Sequence, residues 1–361
     1  MNTEQLGAGT PSEASDWESS EPGSPASSHW DEASTEAQAS ADLPDQVLTD
    51  WAAEDGQGQH EDRQRVVSRM RAWRGTGDLN EPIDLSSLSL TNLAAPIPAG
   101  LRRLNIDDNQ LSSLPETPPA SLQRLCANNN RLTALPELPP GLRRLYAISS
   151  GQSSLPAELP PGLRRLNVDN NQLSSLPDRL PATLQELDVS GNQLTRLPEL
   201  PAGLEHLNVD YNQLTDLPEP LPAGLEWLSA SHNRLTSLPE TFPAELLWLG
   251  ASNNQLTSVP ETMLTQLSRD ASVDLENNPL SDAVQAGLAT AMHAGDYAGP
   301  QVFFSNTSGA VQVEPVAAGG CCAMARGRAG SNNHLAGLRR RAGCLRLCTL
   351  SRQAPRHREL W

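Results

Sequence analysis

The cysteines and histidines of this 361-residue chain are the first side chains to consider as metal ligands, and the cysteines also as nucleophiles. Cys126 lies alone in the middle of the chain. The other four cysteines lie near the C-terminus with two histidines: Cys321, Cys322, Cys344, Cys348, His334 and His357. Their spacings, an adjacent pair and a Cys-x3-Cys pair, do not match the ligand pattern of a structural zinc site. We therefore expect no metal ion and no cofactor.

A second group of side chains recurs every 20 or 21 residues and suits binding rather than catalysis. The group is Arg103, Arg124, Arg144, Arg165, Glu186, His206, Trp227 and Trp248. Guanidinium groups form paired hydrogen bonds with carboxylates, and tryptophans are enriched among the residues that dominate protein interfaces. We predict that this group, with Tyr146 and Tyr211, binds a protein partner that carries acidic groups. The alternative is an ordinary exposed surface, with each arginine paired to a nearby Asp and with His206 as a plain surface residue.

An internal repeat produces these spacings. Its first copy runs from Leu101 to Pro115, and a marker asparagine recurs at Asn109, Asn130, Asn171, Asn192, Asn212, Asn233 and Asn254. Leu104 and Ile106 alternate with polar residues, which is the period of a β-strand. The marker amide both donates and accepts hydrogen bonds where the chain leaves the strand. In the third copy Ser150 replaces the marker and Gln152 replaces a leucine, so this copy is locally defective.

Stacking of the repeats decides the fold class, because one turn cannot bury its own leucines and stacked turns can. We predict a solenoid with short parallel strands on its concave face and an extended, polyproline-like convex face built on Leu-Pro pairs. Eight turns begin at Leu101, Leu122, Leu142, Leu163, Leu184, Leu204, Leu225 and Leu246, and a divergent ninth surrounds Val273. An amphipathic helix at 61–74 and the segment 282–293 are expected to cap the two ends.

Composition divides the chain into five parts. Residues 1–60 form an acidic, Ser- and Pro-rich segment that we expect to be disordered, since residues 1 to 62 hold 15 Asp or Glu and no Lys or Arg. Residues 61–100 form the helical N-terminal cap and an entry turn. Residues 101–281 form the repeats, and residues 282–308 form the C-terminal cap and linker. Residues 309–361 form a basic, Cys-containing tail, which is either an interaction tail or the product of a changed reading frame.

Charge and hydropathy exclude two kinds of partner. The net charge of -17 argues against nucleic acid, whose phosphates would be repelled. No apolar run reaches the roughly 18 residues of a membrane-spanning helix. Trp17, Trp30 and Trp51 are scattered through the acidic segment and are either anchors for a partner or aromatic residues without a role.

The repeats resemble the leucine-rich-repeat region of the IpaH-type bacterial effectors. The resemblance covers roughly residues 60–308. It rests on the short LPxxLPxxLxxLxVxxNxL repeats, the Trp-ended helix before Asp84, and the closing segment from Val273 to Ser305. It implies a leucine-rich-repeat solenoid, type III secretion with a chaperone at the N-terminus, and a host protein bound on the concave face. The host cell cytoplasm or nucleus would be the site of action.

In that family a ubiquitin ligase domain follows the repeats, with a nucleophilic Cys in a Cys-x-Asp motif. No cysteine of this chain has Asp two residues later, and Cys126 is expected to be a surface thiol on a strand. Three hypotheses remain. The first is a protein-binding effector without enzymatic activity, and the second is an E3 ubiquitin ligase whose catalytic domain is truncated or encoded separately. The third is a bacterial scaffold that is not secreted.

Overall fold

The computed structural model describes residues 45–54, 61–93, 97–115 and 118–305. Helices α1 (Asp45–Ala53) and α2 (Arg63–Thr76) precede strand β1 (Ile83–Asp84). Eight three-residue strands follow: β2 (Arg103–Asn105), β3 (Arg124–Cys126), β4 (Arg144–Tyr146), β5 (Arg165–Asn167), β6 (Glu186–Asp188), β7 (His206–Asn208), β8 (Trp227–Ser229) and β9 (Trp248–Gly250). The chain then forms α3 (Thr262–Gln266), β10 (Ser272–Asp274), α4 (Asp282–Met292) and β11 (Gln301–Phe303).

The strands form one 11-stranded parallel sheet in chain order from β1 to β11, which confirms the predicted leucine-rich-repeat solenoid. The middle residue of each strand from β2 to β9 is a buried leucine, for example Leu166 beside Leu187. The residue after each of these strands is a fully buried Ile, Val or Ala. The first and third strand positions therefore face away from the core, as the alternation predicts.

The marker asparagines tie each turn to the one before it. The Nδ2 group of Asn192 donates to the carbonyl oxygens of Val189 (3.0 Å) and Ser190 (3.0 Å) in its own turn. It also donates to the Val168 carbonyl of the preceding turn at 3.1 Å, and its Oδ1 accepts from the Leu173 amide at 2.9 Å. This buried amide satisfies backbone groups that the short strands leave unpaired.

The third turn departs from this pattern where the sequence predicts a defect. The Ser150 hydroxyl replaces the marker amide and lies 3.0 Å from the Ala127 carbonyl oxygen. Gln152 is fully buried, and neither its Oε1 nor its Nε2 has a hydrogen-bond partner among the described residues. The equivalent positions of the neighbouring turns hold fully buried leucines. An unpaired amide therefore lies inside the hydrophobic core.

Helix α2 covers the N-terminal end of the solenoid, as predicted from its apolar stripe. The Asp62 side chain accepts from the Arg65 amide at 3.0 Å and so caps its start, and Gly77 ends it with φ of 65°. Its buried face carries Val66, Val67, Met70 and Trp73. Leucines of the first turn are buried in the same hydrophobic cluster.

Helix α1 corrects the predicted boundary at residue 60, because ordered structure already includes residues 45–53. Both carboxylate oxygens of Asp45 accept from Arg71 of α2, at 2.8 and 2.9 Å. The Arg63 guanidinium lies 4.8 Å from the centre of the Trp51 ring, which is 4% exposed. Trp51 is thus a core residue of the cap and not a free anchor. Propensity does not reveal this short helix, since its stability comes from packing on α2.

The C-terminal end contains the predicted ninth turn, which forms β10, and the predicted capping segment, which forms α4. The Ser281 hydroxyl caps α4 by accepting from the Val284 amide at 3.3 Å. Strand β11 then pairs with β10, so the sheet extends one strand beyond the predicted turns. No helix among the described residues is long and apolar enough to cross a membrane. The predicted disorder of 1–44 and the basic tail at 309–361 lie outside the described residues.

Candidate partner-binding surface

Eight side chains from the first positions of β2 to β9 line up on the concave face, and we name this set the concave column. Parallel pairing places each residue beside the next, in the order Arg103, Arg124, Arg144, Arg165, Glu186, His206, Trp227 and Trp248. Neighbouring strands lie about 4.8 Å apart. The structure thus brings the predicted residues into one row, and their role in binding stays a prediction.

The arginines of the concave column are only partly neutralised. Arg165 Nη2 lies 3.0 Å from Glu186 Oε1. The Arg124 guanidinium lies 5.2 Å from the centre of the Tyr146 ring, within the range of a cation–π contact. Arg103 and Arg144 are exposed, and their side chains form no hydrogen bond or ion pair with any described residue. The alternative interpretation, in which each arginine pairs with a nearby Asp, therefore does not hold for these two.

Cys126 corrects the prediction of a surface thiol, because it is buried with an exposed fraction of 4%. Its Sγ lies 3.5 Å from Arg124 Nε, and Tyr146 is its neighbour on the next strand. These larger side chains on the same face shield the sulfur from solvent. A shielded thiol is poorly placed for attack on a substrate. Among the described residues, no group of three or more His, Cys, Asp or Glu could hold a metal ion.

Two tryptophans form the other end of the concave column. The ring centres of Trp227 and Trp248 are 5.3 Å apart with an interplanar angle of 23°, which is a stacked arrangement. Gly250 lies beside them, and a Cβ atom there would stand 3.1 Å from Trp248 Nε1 and from Ser229 Oγ. The absence of a side chain at Gly250 therefore gives the indole the space that it occupies.

His206 and Tyr211 occupy different places. His206 lies in the concave column, and its Nδ1 is buried without a hydrogen-bond partner among the described residues. Tyr211 lies in the loop after β7, is 58% exposed, and stacks on His232 with ring centres 4.1 Å apart. Both loop residues have positive φ, 53° and 56°, a conformation that costs less for Gly, Asn or Asp. The Tyr211–His232 pair is thus separate from the concave column.

Partly or fully buried carboxylates follow the concave column along the chain: Asp188 is the third residue of β6, and Asp107 and Asp210 lie two residues after the ends of β2 and β7. Burial raises the pKa of Asp107 and of Asp210 to about 6, and burial also raises the pKa of Asp188. Hydrogen bonds act in the opposite direction: Asp210 accepts from the Ser229 hydroxyl and the Ser231 amide, both at 2.7 Å. At pH 7.5 Asp107 and Asp210 are mostly charged despite their burial, which costs stability.

These raised pKa values predict a protein that is more stable in weak acid. Between about pH 4 and 6 the folded chain binds more protons than the unfolded chain, so the free energy of unfolding falls as pH rises. We expect Asp210→Asn to raise the free energy of unfolding at pH 7.5 by about 1–2 kcal/mol and to flatten the change between pH 5 and 7.5. Urea titrations at both pH values measure it, with the exposed Asp178→Asn as the control. Equal pH dependence in wild type and Asp210→Asn would contradict the assignment.

A second column of arginines was missed in the sequence, although the same register predicts it one residue earlier. Arg102, Arg143 and Arg164 directly precede β2, β4 and β5, with Gln123 before β3. At the same position, Gln185, Glu205 and Glu226 precede β6, β7 and β8. We name Arg102, Arg143 and Arg164 the outer arginines. The sheet is thus basic over its first four repeat turns and acidic and aromatic over the next four.

Comparison with known proteins finds the same repeat in a protein family and a similar sequence in a bacterial relative. A sequence model of the Leucine Rich Repeat family matches residues 183–204, which include β6. A protein of Sinorhizobium fredii (strain NBRC 101917 / NGR234), named as a probable E3 ubiquitin-protein ligase, is 48% identical over 288 residues. That match covers 79% of this chain, and the chain spans only 41% of the length of that relative.

Solved structures with similar folds include the LRR domain of a Shigella effector, 28% identical, with a TM-score of 0.46 over 78% of this chain and 100% of that one. YopM from Yersinia enterocolitica WA-314 is also 28% identical, with a TM-score of 0.35 over 66% of this chain and 68% of that one. The parallel sheet and the matched repeat, together with the relative from S. fredii, identify this chain as a leucine-rich-repeat protein related in sequence to a probable E3 ubiquitin-protein ligase.

Proposed function

We propose that this chain is a protein-binding module whose concave column holds an acidic segment of a partner. The observation that carries the proposal is the register that aligns four arginines and a stacked pair of tryptophans on one face. Guanidinium groups bind carboxylates through paired, charge-assisted hydrogen bonds. The strands hold the backbone of these residues in fixed register, so little backbone entropy is lost when a partner binds.

The finer proposal is that the chain is a type III secreted effector and that the partner is a host protein in the cytoplasm or nucleus. The motifs shared with IpaH-type effectors support it, and a secretion chaperone would bind the N-terminal segment. A translocation reporter fused to residues 1–60 tests this part. A fusion that stays inside the bacterium would favour the bacterial scaffold instead.

The binding proposal is tested with a fluorescein-labelled peptide of twelve glutamates and fluorescence anisotropy. We expect the change of the four arginines of the concave column to Gln to weaken binding at least tenfold, about 1.4 kcal/mol. The matched control removes the same charge from four exposed arginines outside the strands: Arg131, Arg179, Arg196 and Arg234. Equal weakening by both quadruple variants would show that net charge, and not the concave column, governs binding.

The second candidate function is ubiquitin transfer, which the name of the S. fredii relative favours. Cys126 is buried, and no cysteine of the chain has Asp two residues later. We therefore expect no reductant-sensitive ubiquitin adduct when the 361-residue chain is incubated with E1, E2 and ubiquitin. A thioester that is lost in a cysteine-to-alanine variant would instead support the ligase.

A further inference from the structure

The basic half of the concave face carries more positive charge than its described surroundings neutralise. Seven arginines, four in the concave column and the three outer arginines, precede or begin strands β2 to β5. These four strands span roughly 15 Å at the usual strand spacing. Arg102 donates to the Asn80 side-chain oxygen at 2.8 Å. The side chains of Arg103, Arg143, Arg144 and Arg164 form no hydrogen bond or ion pair with described residues.

Like charges in such a row repel one another, and an anionic segment laid along the row would relieve the repulsion. Exposed isolated arginines are common, but the four arginines of the concave column are aligned by the sheet in fixed register, and each outer arginine directly precedes one of them. Because the guanidinium groups lie in a row, carboxylates at several different spacings along an acidic chain can each accept hydrogen bonds from one of them. The surface therefore selects a polyacidic segment rather than a single carboxylate.

The same chain contains a segment with this chemistry. Residues 1–44 hold nine Asp or Glu and no Lys or Arg. Two of the acidic clusters also contain tryptophan, at Asp16-Trp17-Glu18 and at Trp30-Asp31-Glu32. The concave face offers both matching features, arginines over its first four repeat turns and a stacked tryptophan pair further along.

Residues 1–44 are attached at the N-terminal end of the solenoid, which is the end that carries the arginines. Residue 45 starts α1, which is held to α2 by the Asp45–Arg71 ion pair, and α2 contacts β1 beside the basic half. At random-coil dimensions 44 residues would have an end-to-end distance of roughly 33–40 Å, and the eight repeat strands span about 34 Å. Tethering of this kind gives an effective concentration on the order of millimolar. Weak ionic contacts are then sufficient for occupancy.

We propose that residues 1–44 dock in cis on the seven arginines and occupy the surface on which a partner binds. The inference rests on the proposed function, because it concerns the regulation of the same surface. A partner must displace the acidic segment, so the affinity for the partner in the full chain is lower than the intrinsic affinity of the concave face. The basic residues 321–361, with nine arginines and one acid, are the competing docking site within this chain.

The test uses a labelled peptide of residues 1–44, added in trans to full-length proteins and followed by fluorescence anisotropy. The open variant is the full chain in which the nine acidic residues of its own segment are changed to the matching amides: Glu4, Glu13, Asp16, Glu18, Glu21, Asp31, Glu32, Glu36 and Asp42. We expect the open variant to bind the peptide at least tenfold more tightly than wild type, because its surface is free.

Three additions to the open variant locate the docking site. Changing the four arginines of the concave column to Gln is expected to weaken peptide binding at least tenfold. Changing the four control arginines to Gln, or the nine arginines of 321–361 to Gln, is expected to change it less than threefold. Urea midpoints within error of the open variant establish that each protein is folded.

Equal binding to wild type and to the open variant would overturn the proposal, and so would loss of binding only in the variant of residues 321–361. The twelve-glutamate peptide separates this failure from failure of the proposed function. If that peptide binds in a manner that depends on the concave column, and wild type and the open variant bind it equally, cis docking is wrong and partner binding stands. If neither peptide binds to the open variant, both proposals fail.

Discussion

Replacing Asn192 with alanine is expected to lower the free energy of unfolding by about 1–3 kcal/mol. The substitution removes a buried amide that donates to three carbonyl oxygens and accepts from the Leu173 amide. The Leu173 amide is left buried without a partner, which costs about 1–3 kcal/mol, whereas the three carbonyl oxygens keep donors from Asn171, Asn212 and the Asn170 amide. The loss affects two turns together, because one of the carbonyls and the amide belong to the preceding turn. Urea unfolding followed by circular dichroism measures the change.

The adjacent residue supplies the control for this substitution. Gln193 is exposed, and we expect Gln193→Ala to change the free energy of unfolding by less than about 0.5 kcal/mol. Asn192→Ser should fall between the two, since Ser150 shows that a hydroxyl at a marker position reaches a carbonyl of the preceding turn. A cost below about 1 kcal/mol for Asn192→Ala would mean that water or a shifted backbone replaces the amide.

Replacing Gln152 with leucine is expected to raise the free energy of unfolding by about 2–4 kcal/mol. Both polar atoms of Gln152 are buried without a partner among the described residues, and each costs about 1–3 kcal/mol. Leucine fills the same position in the neighbouring turns, where it is fully buried. The substitution therefore removes the cost of burying two polar atoms without hydrogen bonds, and it buries additional apolar surface. The backbone need not change, because the neighbouring turns hold leucine at this position. The measurement is again a urea titration of the full chain.

The control for this gain is the same substitution at an exposed site. Gln172, which directly follows the marker Asn171 of the next turn, is exposed, and Gln172→Leu should leave the free energy of unfolding nearly unchanged. If Gln152→Leu gives no gain, or if both variants gain equally, the buried amide is not the defect of the third turn. A loss of stability would indicate that the cavity is shaped for glutamine.

The repeat architecture could be predicted because each of its parts has a local signal. A leucine at the centre of a three-residue strand, a marker asparagine five residues later and a Leu-Pro pair recur every 20 or 21 residues, so every turn must follow the same path. Register then follows from the requirement that equivalent leucines meet. The concave column, from Arg103 to Trp248, is a direct consequence of that register.

The burial of individual side chains could not be predicted from the sequence, and the prediction of a surface thiol at Cys126 was wrong for this reason. Cys126 stands at a position that alternation places on the exposed face, and the neighbouring Arg124 and Tyr146 cover it. Trp51 looks isolated in an acidic segment, and the packing of α1 on α2 buries it. Tyr146 belongs to the next turn and α2 to another helix, so neither contact follows from the local sequence around Cys126 or Trp51.

The sequence by itself determined the solenoid, the number of its regular turns and the alignment of arginines and tryptophans, because these depend on residues repeated at one spacing. Only the tertiary structure decided which side chains are covered, which carboxylates have a raised pKa, and that α1 and β11 pack beyond the predicted cap and turns. Those properties depend on contacts between segments that are distant in the sequence, and no local pattern encodes them. Burial by such contacts raises the pKa of Asp210 and leaves the side-chain amide of Gln152 without a hydrogen-bond partner among the described residues.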